Sequence, residues 1–154
     1  PYAFASHFAP AALDEALAIY RPDFRPSAQL DRPYAMAGYN IFAADSAAEA
    51  ELVASSMQQA FVRLRTGQPG KLQPPLAGYY DSLPLQARAM LSDVLSASSI
   101  GTQADVERDL AAFIDRTGVD EVIIAAQIFD PAARKRSYEI AMAAAQAIGA
   151  RELA

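Results

Sequence analysis

His7 is the one histidine of the chain, set in the run "YAFASHF" (Tyr2 to Phe8) among mostly apolar neighbours. An imidazole changes charge near neutral pH and can donate or accept a hydrogen bond, so at the end of a strand it could line a site for a polar ligand. The same position also suits a histidine satisfied by a backbone carbonyl, and no carboxylate nearby in sequence decides between the two. On an extended strand Ser6 would point away from His7, so at most one of them would reach a given surface. Gln127, in "EVIIAAQIFD", and Asn40, in "AGYNIF", each interrupt an apolar strand-like run. A buried amide left without a partner costs about 1–3 kcal/mol, so each must find either a ligand or neighbouring backbone.

The stretch "SSIGTQADVERDL" (Ser98 to Leu110) offers a second kind of chemistry. Gly101-Thr102 precedes an amphipathic run, and the free N–H groups of a helix start attract anions. The glycines of a phosphate-cradling loop are missing, however, and Thr102 with Asp105 makes a sufficient cap. A helix cap is therefore the expectation. Arg134, Lys135 and Arg136 read as a solvated helix face. Tyr79 and Tyr80 read as aromatic anchors of a loop, with a cover over a ligand as the alternative. Paired carboxylates suited to glycoside hydrolysis and a serine nucleophile elbow are both lacking.

The elements that must carry these residues follow from hydrophobic period and punctuation. "YAFASHF" suits a buried strand. Leu13, Leu17 and Tyr20 then share a helical face up to Pro22 and Pro26. "PYAMAGYNIFAAD" (Pro33 to Asp45) is nearly continuous apolar sequence, the mark of a strand covered on both faces. Ser46 and Glu49 form a capping box for a helix running to about Arg65. Residues 66–84 are rich in Gly and Pro and read as a long irregular loop, of a length often given to lids. A short helix over 85–95 follows, then a brief strand in "SASSIG". The helix capped by Thr102 ends at Gly118, and "EVIIAAQIF" (Glu121 to Phe129) is the clearest strand. Asp130-Pro131 opens the last helix. The order β-α-β-α-(loop, α)-β-α-β-α argues for parallel strands with helical crossovers. One domain over 1–154, with 66–95 as an excursion, is the expected organisation.

Composition sets limits on function. The chain has 154 residues, 53% apolar and 20% charged, enough for one domain with its own core. A net charge of −5 without a basic stripe speaks against nucleic-acid binding. The absence of cysteine and the single histidine exclude a disulfide framework and a thiolate or histidine-rich metal site. No apolar run approaches the roughly 20 residues that span a bilayer. A soluble, cytoplasmic protein without a metal is expected. The first residue is Pro1, already inside a strand-like run, so the chain is expected to be part of a longer one.

Three groups of residues together resemble the C-terminal half of the luciferase-like flavin monooxygenases. They are "PYAFASHFAP", "FRPSAQLDRPYAMAGYNIFAADSAAEAE" and "SSIGTQADVERDLAAFIDRTGVDEVIIAAQIFDPAARKRSYEI". The resemblance implies a (β/α)8 TIM barrel in which these four strands are the second half, with reduced FMN, supplied by a reductase, and O2 acting on a small organic substrate. It implies a flavin pocket at the C-terminal strand ends, where Ser6, His7, Asn40 and Gln127 become cofactor-binding candidates. The family's phosphate-binding serine-rich turn and its usual active-site histidine have no counterpart here. Catalytic residues are accordingly expected upstream, and this half alone is expected to be inactive. Two alternatives stay open: a non-catalytic half-barrel completed by a second copy of itself as a homo-oligomer, and a deazaflavin-dependent relative.

Overall fold

The computed structural model describes residues 1–152. Strand β1 (Tyr2–Phe4) leads through a single 3-10 turn at Pro10–Ala12 into helix α1 (Leu13–Asp23). Then come β2 (Ala35–Ala43), α2 (Ala47–Arg65), the four-residue α3 (Tyr79–Ser82) and α4 (Leu85–Val94). Strand β3 (Ser98–Gly101), α5 (Gln103–Thr117), β4 (Glu121–Ala125) and α6 (Pro131–Glu152) complete the chain. The alternation and most helix boundaries fall where period and caps place them. Ser46 Oγ accepts from Glu49 N and donates to its carboxylate, and Asp130 Oδ1 accepts from Ala133 N. Gly118, with φ 56°, closes α5 in the left-handed conformation that glycine adopts freely.

Two strands are shorter than the sequence suggests. The expected strand over 2–8 ends at Phe4, because Phe8 N and Ala9 N both turn back to Ala5 O. The expected strand over 121–129 ends at Ala125. Apolar composition marks burial in both places but does not mark where ladder pairing stops.

All pairings are parallel, and β2 is the hub. Backbone groups alternate between the two edges of a strand. Tyr34 O, Asn40 N and Ala44 N bond to β1 and β3, whereas Ala35 O bonds to Asp120 at β4. Strands β1 and β3 therefore share one edge of β2, end to end, and β4 takes the other. The odd-numbered side chains of β2, Ala35 to Ala43, pack with α1, α5 and α6. On the opposite face Phe42 packs with Ala54, Met57 and Phe61 of α2 and with Leu91 and Val94 of α4.

The fold is thus α/β, a parallel sheet with helices on both faces. It does not confirm a half barrel. Consecutive barrel strands lie side by side in sequence order with every helix outside, and here β4 sits across β2 from β3 while α2 and α4 cover the inner face. Alternation alone could not tell these arrangements apart, because strand order is decided by long-range packing.

Candidate functional site

The even-numbered face of β2 carries the chemistry. Cross-strand pairs put its side chains in rows: Ala3, Met36 and Glu121; then Gly38 and Ile123; then Ser98, Asn40 and Ala125; then Ile100 and Phe42. The last two rows lie at the end covered by α2 and α4. The first two are more open, with Ala3 exposed and Ile123 50% exposed.

Where the two halves meet, the turn after β1 folds over Gly38. Ser6 is buried, and its Oγ donates to Gly38 O at 2.6 Å. The His7 ring lies against the glycine itself, so closely that a Cβ there would stand 2.0 Å from His7 Nδ1. Asn40, fully buried, donates from Nδ2 to His7 O at 2.9 Å. Ser6 and His7 therefore converge on one residue, against the expectation that only one could reach a given surface. Strand alternation does not apply to them, since both sit in the turn. The Phe8 ring lies tilted against the His7 ring, 4.5 Å between centroids, and meets Phe61 of α2 edge-on at 6.4 Å, joining the cluster to the helical cover.

Hydrogen bonding here is unfinished. Buried His7 Nδ1, Asn40 Oδ1 and Ser98 Oγ have no partner among the described residues, and Asn40 and Ser98 are direct cross-strand neighbours. Buried polar atoms are satisfied in the great majority of cases, so three unmet ones on one face mark a place for a further group. Burial holds the His7 pKa below its ordinary value. The ring is accordingly neutral at pH 7, with one nitrogen that donates and one that accepts. Asn40 Oδ1 only accepts, and Ser98 Oγ does either.

Of the four residues singled out from sequence, Ser6, His7 and Asn40 come together. Gln127, half-buried, lies two residues past the Asn40–Ala125 pair and makes no hydrogen bond among the described residues. Sequence reasoning missed Gly38 and Ser98. A glycine inside an apolar strand signals close approach of another group, and that signal was present in "AGYN". Ser98 became legible only with the register.

The Gly101-Thr102 turn is a cap and not an anion site. Asp105 Oδ2 accepts from Thr102 N at 2.9 Å and from its hydroxyl at 2.8 Å. Those bonds, then the one from Arg108, lower its pKa to about 2, so the helix start already holds an anion of its own. Arg136 is exposed, as expected of a solvated face, but it is bound to Asp45 at 2.6 Å. Its neighbour Ser137 ties α6 to β2, accepting from Ala43 N and donating to Ile41 O. "AAD" and "RSYEI" therefore act as one clasp at the end of β2.

No family model matches the chain. Over 142 residues it is 46% identical to the luciferase-like monooxygenase of Escherichia coli (strain K12), an alignment covering 92% of this chain and 42% of the relative. The chain is homologous to the luciferase-like monooxygenases. Two uncharacterized proteins of Bacillus subtilis (strain 168) align over 140 residues each: YvbT at 39% identity (91% of this chain, 42% of the relative) and YddN at 34% (91% and 41%). The chain thus spans about two fifths of the length of the curated relatives it matches. The crystal structure of apo-MsnO8 superposes with a TM-score of 0.74 at 23% identity, covering 95% of this chain and 45% of that one, and shares its α/β fold. The luciferase-like resemblance read from the sequence therefore holds along almost the whole chain. Among the described residues no cluster of His, Asp and Glu is arranged to hold a metal, and no helix is long and apolar enough to cross a membrane.

Proposed function

We propose that this chain forms part of an FMN-dependent luciferase-like monooxygenase and supplies a wall of its flavin pocket. The observation that carries the reading is the set of unpartnered atoms at His7, Asn40 and Ser98, in a homologue of enzymes bearing that name. Bound reduced flavin would supply the oxygen chemistry, acting on a small organic substrate. The protein's task there is to position and to exclude water.

The residues present fit the ring edge of such a group. An edge that alternates N–H and C=O needs both donors and acceptors, and His7, Asn40 and Ser98 provide both. Burial keeps the His7 ring neutral at pH 7, which suits it to a neutral ring edge. In this reading the phosphate is held by the rest of a longer protein, and the chain by itself does not turn over. The approach lies along the open rows beside Gly38, where Ile123 is exposed.

Titration of FMN into the chain, followed by flavin fluorescence and absorbance, tests this. Saturable perturbation is expected, with His7→Ala and Asn40→Ala each weakening it about tenfold, the worth of one buried hydrogen bond. Far-UV dichroism verifies that the variants fold. A flavin spectrum left unchanged by the chain, or folded variants that bind like the parent, would overturn the reading.

A further inference from the structure

A cleft of about 680 Å³ separates the first half of α2 from the segment 76–81, with Ile100 of the last row in its lining. Its polar lining has an unusual balance. Gln58 is only 6% exposed, yet its amide makes no hydrogen bond among the described residues. Glu51 and Asp81 place two exposed carboxylates at the cleft, and neither is paired with a cation among the described residues. Tyr79 and Tyr80 add two aromatic rings. The guanidinium of Arg88 lies 5.8 Å from the centre of the Tyr80 ring and donates to Asp81 O, so one face of that ring already carries a cation and Tyr79 offers the ring left to a ligand.

The walls are anchored before any ligand arrives. Ser55 Oγ accepts from Leu76 N at 2.8 Å and donates to Leu52 O at 2.6 Å, fixing the loop to α2. Gln59 holds the same loop through Pro74 O at 2.9 Å. Apolar surface faces the cleft as well, with Leu76 54% and Leu52 36% exposed. Two carboxylates without a cation partner, aromatic rings, the nearly buried Gln58 in the lining and half-exposed leucines suit a ligand with a positive head and an apolar body. We propose that this cleft binds a small organic cation, an ammonium group on an aromatic or aliphatic body. The site is separate from the flavin wall and does not rest on that reading.

The probe is benzyltrimethylammonium chloride, compared with benzyl alcohol and sodium benzoate, titrated by calorimetry and by amide NMR shifts. The cation should bind saturably, shift amides of 48–58 and 76–81, and bind at least about tenfold more tightly than benzoate, a difference of about 1.4 kcal/mol. Affinity should fall as salt is raised, since the carboxylates are exposed. Glu51→Gln with Asp81→Asn should abolish the preference for charge. Both residues are exposed, so the double variant should keep its fold. Gln58→Met, which keeps the volume, should weaken the cation and benzyl alcohol alike. Benzoate binding as tightly as the cation, a double variant that keeps its preference, or shifts elsewhere in the chain would each overturn the proposal. Flavin titrations stay unaffected in either case, so the two readings fail separately.

Discussion

At the scale of single residues, Gly38 decides the site. The His7 ring occupies the space a side chain would fill, so Gly38→Ala must push the ring away or distort β2. Overpacking of this kind costs about 1–3 kcal/mol. Urea unfolding should show that loss in the parent and less than half of it in a His7→Ala background, since the cavity then accepts the methyl group. His7 itself makes stability depend on pH. Its unfolded pKa is the ordinary 6.5 and its folded pKa lies lower, so between the two values the unfolded chain binds the proton and the folded chain does not. Its contribution is complete above about 6.5 and is lost as pH falls through the folded value. Denaturation midpoints measured from pH 8 to pH 5 should therefore drop for the parent and stay flatter for His7→Gln; parallel curves would show that His7 protonates freely. His7 and Asn40 stood out in the sequence as polar groups in apolar runs. The bonds that join them did not, because the turn after Phe4 sets them.

Among the elements, α5 shows how a sequence signal for a ligand site can be met by the chain itself. Asp105 fills the turn that Gly101-Thr102 opens, and a Cβ on Gly101 would come within 2.6 Å of Asp105 Oδ2. Its carboxyl is held near 2, against an ordinary 3.8, mainly by the bonds from Thr102. A carboxylate depressed in the folded state stabilises above its unfolded pKa and loses that contribution as pH falls toward the folded one. Asp105→Asn should therefore melt below the parent at pH 6, and the gap should close as pH is lowered from about 4 to about 2. Thermal melts followed by far-UV dichroism measure it, and a gap constant with pH would deny the charge its role. The helices were legible because caps are local: Ser46 with Glu49, Thr102 with Asp105, Gly118, Asp130. The clasp of Arg136 and Ser137 on the end of β2 was not, since it joins residues more than ninety positions apart.

For the whole molecule, the apolar run of β2 announced burial on both faces, and both are buried from Ala37 to Ala43, with Met36 half-buried. What the run could not announce is unequal cover across the rest of the sheet. The face toward α1, α5 and α6 is complete, whereas on the other face α2 and α4 reach only the rows of Asn40 and Phe42. Beyond them Ala3 and Ile123 meet solvent, beside a β4 edge that has no further strand among the described residues. An apolar face next to an open parallel edge invites pairing. In a longer luciferase-like protein, we propose, the additional length covers it. In this chain a second copy is the available cover, so the weight-average mass in sedimentation velocity should rise with concentration above the 16.5 kDa of one chain. Ile123→Lys puts a charge at the centre of the open face without touching the core, since its neighbours Val122 and Ile124 are the ones that face the helices. That variant should keep its fold and remain at the mass of a single chain. If it associates as the parent does, the contact lies elsewhere, and the exposed leucine-rich ends of α2 and α4 (Leu64, Leu85) become the surface to alter next.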